Sequence, residues 1–397
     1  MRVSPRFILP ALLVTVGLAI TGCAPTPGAP AASGSTEPVQ VALVYSQSGP
    51  LAAYGEAYIN GFDAGLDYAT DGTGTVDGRE ISITRADDAG DTDTAVGLVK
   101  NSIGQGVKII AGTASSGIAL SLAEQAAQNK ILYISGPAAA DGITGVNKYT
   151  FRSGRQTYQD VATAGTFIGD PAGKKVVVFA QNSAFGQGNV AAVTAVLGAQ
   201  GATVEPVLVP EDATEFTPFA QQIVQTAPDL VFVAWAGATT GAMWQSLEQQ
   251  GVFDQVPVVT GLGDVATYSA YGAASEKISF LNHYFGAAPD NAVNTALVDY
   301  LDAKGQTPDL FSPDGFVAAQ MIVHAITEGG GDDVDSMIAA LEGWTFDGPK
   351  GSTTIRGEDH ALVQPMYQAK LVADGTGYKP ELVKTIDAET VAPPVAQ

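Results

Sequence analysis

One cysteine and three histidines in 397 residues leave little material for thiol or metal chemistry. Cys23 has no second cysteine with which to form an internal disulfide, and His283, His324 and His360 are far apart in the chain with no H-E-x-x-H among them. Basic residues are also scarce: 19 Lys and Arg face 41 Asp and Glu, for a formal charge of −22. A surface that acidic argues against nucleic acid, and an anionic solute would need local help from dipoles or hydrogen-bond donors. No G-x-x-x-x-G-K-[ST] phosphate loop and no G-x-S-x-G nucleophile elbow occur. F-G-Q-G-N at 185–189 lacks the full glycine spacing of a dinucleotide loop, and the strand before it ends early, at Phe179. Asp87, Asp88, Asp91 and Asp93 lack the spacing of a calcium loop and read as a solvated, helix-capping acidic turn. No cofactor and no metal is therefore expected. The chain is not read as an enzyme, because no nucleophile–base pair is evident. No short repeat of solenoid or propeller period is present.

What is there begins with an export signal. Arg2 and Arg6 precede an apolar run from Phe7 to Ile20, shorter than the roughly 20 residues of a membrane span, and I-T-G-C follows at 20–23. That tetrapeptide resembles a bacterial lipobox, in which the cysteine becomes the lipid-modified first residue. The expectation is a signal peptide over 1–22 and a lipid anchor on Cys23, placing the protein on the extracytoplasmic face of a membrane. Residues 23–38, rich in Ala, Pro, Gly, Ser and Thr, read as a flexible tether.

The remainder is long enough for two buried cores. Apolar runs alternate with helical patterns: strands at 39–45, 79–86, 107–111 and 131–134, then a second series at 175–179, 203–209, 230–235 and 256–260. Short connections between alternating strands and helices predict parallel sheets covered on both faces, and two series predict two lobes. In such sheets ligands sit beyond the carboxyl ends of the strands. The segments there carry hydroxyls, glycines and the aromatics Tyr45, Tyr54, Phe185, Trp235 and Tyr268. The central stretch is V-K-I-I-A-G-T-A-S-S-G at 107–117, a buried strand turning into a helix that starts at Ser115 and Ser116. A helix start offers unpaired N–H groups and a positive dipole end, so this turn either caps its own helix or holds a small anion such as a carboxylate.

The order and spacing of V-A-L-V-Y-S-Q-S-G-P-L-A-A-Y-G (41–55), D-D-A-G-D-T-D-T-A-V (87–96), the 107–117 stretch, I-L-Y-I-S-G-P-A-A (131–139) and F-G-Q-G (185–188) resemble the branched-chain amino acid group of type I solute-binding proteins of ABC importers. The resemblance covers nearly all of 39–385. It implies an α/β protein with the type I periplasmic-binding-protein fold, two Rossmann-like lobes joined by a three-segment hinge. The first lobe would use 39–157 and 278–346, the second 158–277 and 347–385, with 386–397 a disordered tail. By position it implies ligand contacts from Tyr54, Ala114, Ser115, Ser116, Pro137, Ala138, Ala139, Phe185, Trp235 and Asp264. Ser116 would hold a ligand carboxylate and Asp264 would face an ammonium, or, in the ungapped register that puts Gly263 at the family acid's position, Asp264 is a surface acid. It implies a monomer that delivers a small solute to permease and ATPase subunits. One departure stands out: Ala139 replaces the family threonine that grips the amino-acid head group, with Asp141 as a candidate substitute. The ligand is then an amino acid, or an amide, urea or aromatic carboxylate as in related members. A ligand-sensing receptor module is the reading outside transport.

Overall fold

The computed structural model describes residues 37–396. Cys23, the signal segment and nearly all of the tether lie outside the described residues. The first lobe opens with β1 (Val39–Tyr45), α1 (Ala52–Ala69), β2 (Thr75–Val76), β3 (Arg79–Asp87), α2 (Thr92–Gly104), β4 (Ile109–Gly112), α3 (Ser116–Asn129), β5 (Leu132–Ser135) and β6 (Thr150–Arg152). The chain crosses to the second lobe for α4 (Thr157–Gly165), β7 (Lys175–Gln181), α5 (Ala184–Val196), β8 (Thr203–Val209), α6 (Thr217–Thr226), β9 (Leu230–Ala234), α7 (Thr240–Gln249), α8 (Val252–Gln255), β10 (Val258–Gly261), α9 (Tyr268–Tyr271) and β11 (Ile278–Asn282). It crosses back for α10 (Ala292–Ala303), α11 (Ser312–Gly329), α12 (Val334–Leu341) and a small antiparallel sheet of β12 (Thr345–Gly348), β13 (Gly351–Ile355) and β14 (Leu362–Val363). It returns to the second lobe for β15 (Met366–Asp374) and β16 (Gly377–Ile386).

The strand order is β2-β3-β1-β4-β5-β6 in the first lobe and β16-β15-β11-β10-β9-β7-β8 in the second. Neighbours from β3 to β6 and from β8 to β11 are parallel; β2, β15 and β16 run antiparallel at the edges. Burial on both faces explains why the central strands read as unbroken apolar runs. Along β1, Val41 and Leu43 pack with Phe62 of α1 and Ile322 of α11, while Ala42 and Val44 pack with Val99 of α2 and Leu122 of α3. In the second lobe Val177 and Phe179 face Met243 and Leu247 of α7, and Val176 and Val178 face Val161 of α4 and Val193 of α5.

The expected lobe boundaries shift at three places. β11 pairs with β10, so the second crossing follows Asn282 rather than preceding Ile278. Ile355 and Leu362 pack into the first-lobe core, so the third crossing follows Val363 rather than Phe346. The tail expected to be disordered from Ile386 onward is seated: Val391 is buried against Met366 and Ile386. Arg356 donates to the Pro393 carbonyl at 2.7 Å, and the Ala396 N–H donates to Asp359 at 2.9 Å. The tail thus leaves the second lobe and ends against the first.

Helices α1 and α11 approach through glycine. A Cβ on Gly61 would lie 1.8 Å from the Ser312 carbonyl oxygen, and one on Gly315 the same distance from that of Tyr58. Gly61→Ala should therefore force the helices apart and lower stability by about 1–3 kcal/mol or more. Gly97→Ala, in α2 with nothing within 4 Å of its Cβ, should instead raise it by about 0.5–1 kcal/mol through helix propensity. Urea midpoints moving in the same direction would contradict this account.

Candidate functional site

The carboxyl ends of both parallel sheets border one cavity of about 360 Å³, within the usual size range for a small-molecule site. On the first-lobe side, β4 ends at Gly112, whose φ of +117° and close approach (a Cβ would lie 2.1 Å from the Val44 carbonyl) admit only glycine. The Thr113 hydroxyl donates to the fully buried Asp88 carboxylate at 2.5 Å, and Asp88 also accepts from the Gly90 N–H at 2.9 Å. This pins the turn to the end of β3, on the far side of β1. Ser115 then caps α3, its Oγ 3.5 Å from the Ile118 nitrogen. Ser116 begins the helix, with its Oγ accepting from the Ala140 N–H at 3.2 Å. Accepting that bond leaves the Ser116 hydroxyl hydrogen to donate. First-turn N–H groups here precede any helical acceptor.

Eight of the ten expected contact residues line the cavity: Tyr54, Ala114, Ser115, Ser116, Pro137, Ala139, Phe185 and Trp235. Two do not. Ala138 points the other way, packing with Ala119, Ala140 and Ile143. Asp264 lies behind the wall, its carboxylate accepting from the Thr267 N–H at 3.1 Å as the cap of a short turn, while Gly263 reaches the cavity. Asp141 is also committed elsewhere, accepting from Gln156 Nε2 at 2.9 Å and the Tyr158 N–H at 3.0 Å. It does not replace the missing threonine. Of the strand-end aromatics, Tyr45 and Tyr268 are core residues off the wall. Asp91 caps α2 as an acidic turn should, accepting from the Thr94 N–H at 2.8 Å; Asp88, by contrast, is buried rather than solvated.

The second-lobe wall combines Gln181, Ser183, Phe185 and Asn189 from around the start of α5 with Trp235 and Thr239 after β9. Trp235 is both wall and core: Nε1 donates to Thr239 Oγ1 at 3.0 Å, and its ring lies 5.2 Å from Phe179 and 5.3 Å from Phe216. The floor, which sequence reasoning missed, contains Arg155, Asp160, His283, Leu310 and Phe311. These come from crossovers and helix ends, where no periodic pattern marks them. His283 Nε2 lies 2.6 Å from Asp314, and Lys350 Nζ lies 3.2 Å from Nδ1. Burial, with Lys350 and Arg155 nearby, holds the imidazole well below its ordinary range, hence neutral. Burial likewise raises Asp160 above the ordinary carboxylate value, opposed by Arg155. Among the described residues, no group of three His, Cys, Asp or Glu is placed to hold a metal ion.

The lobes touch across the cavity. The Ala238 N–H donates to the Pro50 carbonyl at 3.1 Å and the Gly237 N–H to the Tyr54 hydroxyl at 3.4 Å. The Val265 N–H meets the Asp309 carboxylate at 3.1 and 3.2 Å. The conformation is a closed one.

A family profile described as periplasmic binding protein matches residues 38–376. The chain is 24% identical over 309 residues to the Leu/Ile/Val-binding protein BraC3 of Rhizobium johnstonii, covering 77% of this chain and 83% of that protein. Among solved structures it is similar to an ABC-type branched-chain amino acid transporter from Rhodopseudomonas palustris CGA009, with 33% identity, a TM-score of 0.75 and coverage of 90% and 99%. It is also similar to the solute binding protein of an ABC transporter from Rhodopseudomonas palustris BisB5 in complex with 3,4-dihydroxy benzoic acid, with 25% identity, a TM-score of 0.77 and coverage of 89% and 98%. No described helix is long and apolar enough to cross a membrane.

The Asp309 bridge sets a pH dependence. Burial foremost raises its carboxyl from 3.8 to about 6, against the pull of the Leu310 and Val265 N–H groups and with the Asp264 charge adding to the rise. A raised carboxyl stabilises the fold when protonated, so its contribution is present below about pH 4 and lost as pH rises through about 6. Asp309→Asn keeps an acceptor without the charge. Its melting temperature should gain on the wild type between pH 4 and pH 7; parallel profiles would remove Asp309 from the pH response.

Proposed function

The chain belongs to the periplasmic binding protein family, and from that premise we propose that its inter-lobe cleft captures a small amino acid or related carboxylate, closes over it, and presents it to the permease of an ABC importer. The observation that carries this reading is the cavity itself. It is bordered by both lobes and has the start of α3, with Ser115 and Ser116, on its wall. A carboxylate placed there meets first-turn N–H groups, the positive end of the helix dipole and a hydroxyl donor. Closure follows from differential binding: a solute that contacts both lobes at once stabilises the closed arrangement over the open one. In this reading the solute leaves chemically unchanged.

Support for the importer role comes from similar proteins named as a Leu/Ile/Val-binding protein, an ABC-type branched-chain amino acid transporter and a solute binding protein of an ABC transporter. The ligand could differ from theirs in one respect: Ala139 lines the cavity without a hydroxyl. Phe185 and Trp235 on the opposite wall suit an apolar body. In this reading the protein works as a monomer on the extracytoplasmic face, anchored by lipid on Cys23.

Isothermal titration of the mature protein against amino acids, amides, urea and aromatic acids tests the role; folded protein that binds none of them refutes it. Ser116→Ala should weaken carboxylate binding about tenfold, the worth of one hydrogen bond to a charged group, while the protein stays folded with a melting temperature lowered by loss of the acceptor for the Ala140 N–H. Equal affinity would take Ser116 out of the site. Cys23→Ala should release the protein from the membrane fraction, and continued membrane association would rule out this anchor.

A further inference from the structure

Arg155 is a buried cation on the floor of the cleft, on the first crossover between β6 and α4. Its guanidinium is only partly committed. Nη1 donates to the Pro137 carbonyl of the first lobe at 3.0 Å, and Nε meets the two Asp160 carboxylate oxygens of α4 at 3.4 and 3.3 Å. Nη2 has no acceptor among the described residues. The Phe311 ring lies 5.4 Å from the guanidinium carbon and backs the group. A guanidinium carries its donors in a fixed planar fork, so the unused ones are preorganised for a planar anion in the cavity.

The acids tell the complementary story. Asp160 and Glu211 are the carboxylates on the wall. Asp160 is buried and already paired with Arg155, and Glu211 is exposed. Asp264, the expected partner of an ammonium, sits behind the wall as a turn cap. An α-ammonium drawn into this cleft would meet no uncommitted buried carboxylate among the wall residues, and burying an unpaired cation is costly.

We propose that Arg155 sets the ligand class of this cleft: an organic carboxylate without an ammonium group, whose negative charge the Arg155 fork receives. The inference rests on reading the cleft as a solute site. It makes Arg155 a binding residue and not merely a brace between Pro137 and Asp160.

The test compares 4-hydroxybenzoate, 4-hydroxybenzamide and L-leucine by isothermal titration. Removing Arg155 alone would strand Asp160 as a buried unpaired charge and could prevent folding. The informative variant is therefore the double substitution Arg155→Gln with Asp160→Asn, accompanied by Arg155→Lys, which keeps the charge and loses the fork. The wild type should bind the acid at least about tenfold more tightly than the amide or leucine. The double variant should lose that preference, its affinity for the acid falling to the level of its affinity for the amide, a pattern a purely structural role would not produce. Arg155→Lys should retain part of the preference. A double variant that still prefers the acid overturns the inference. So does a wild type that prefers leucine, which leaves the solute-binding reading standing. Failure of the wild type to bind any of the three probes also overturns it, whereas the broader reading falls only if the whole panel fails.

Discussion

A carboxylate sealed beneath the first-lobe wall holds the cleft in shape. Asp88 is fully buried and takes the Thr113 hydroxyl and the Gly90 N–H. Charge-assisted hydrogen bonds of this kind are strong because no water competes for them. They tie the end of β3 to the turn after β4, two strands that flank β1 from opposite sides. With the turn fixed, Ser115 falls at the cap position and α3 aims its first turn at the opposite lobe. Removing the tie would leave the strands paired but free the helix start, so the site depends on it more than the sheet does.

The sheets were legible because parallel strands buried on both faces leave an unmistakable apolar signature, as in V-V-V-F at 176–179. Helix caps were legible for a related reason: Asp91 and Ser115 each accept from an N–H three residues on, which is local chemistry. The walls of the cleft followed from strand ends and from resemblance. The floor did not. Arg155, Asp160 and His283 come from crossovers and the first turn of a helix, where neither periodicity nor capping marks a residue, and only tertiary packing brings them together. Asp264 shows the converse failure. Its position in the chain suggested a ligand contact, but a one-residue difference in register placed Gly263 on the wall and turned the acid to Thr267. The lobe boundaries were misplaced for a similar reason: strand pairing, which decides where β11 belongs, is invisible in a single sequence.

The hinge is built from polar side chains reaching backbone carbonyls. Arg152 donates to the carbonyls of Ala140 and Arg155, and Gln159 donates to that of Leu362, tying the first crossover to the third. Around His283, the Asp314 carboxyl and the Lys350 amine flank a neutral ring, burial pushing the first up to about 7 and the second down to about 7. Such bonds are directional, so they fix the path of each crossover more narrowly than apolar contact could. They also supply partners for polar groups buried at the crossovers. The carboxyl-terminal segment adds a further link. Arg356, paired with Asp359 at 2.7 Å, holds the Pro393 carbonyl.

Closure does not depend on the solute alone. Three of the contacts between the lobes, Ala238 to Pro50, Gly237 to Tyr54 and Val265 to Asp309, lie at the rim and join residues of the protein to each other. At about 0.5–1.5 kcal/mol net for each hydrogen bond, they contribute a few kcal/mol to the closed arrangement before any ligand is counted. Against them stands the floor, where Arg155 is buried and its Nη2 has no acceptor among the described residues. An unmet cationic donor is the costlier kind of vacancy. The bridges at the rim and the unmet donor at the floor therefore pull in opposite directions. An anion that satisfies Arg155 removes the opposing cost, and the rim contacts then act unopposed. On this view the coupling between binding and closure lies in what the ligand repairs at the hinge as much as in the surface it spans.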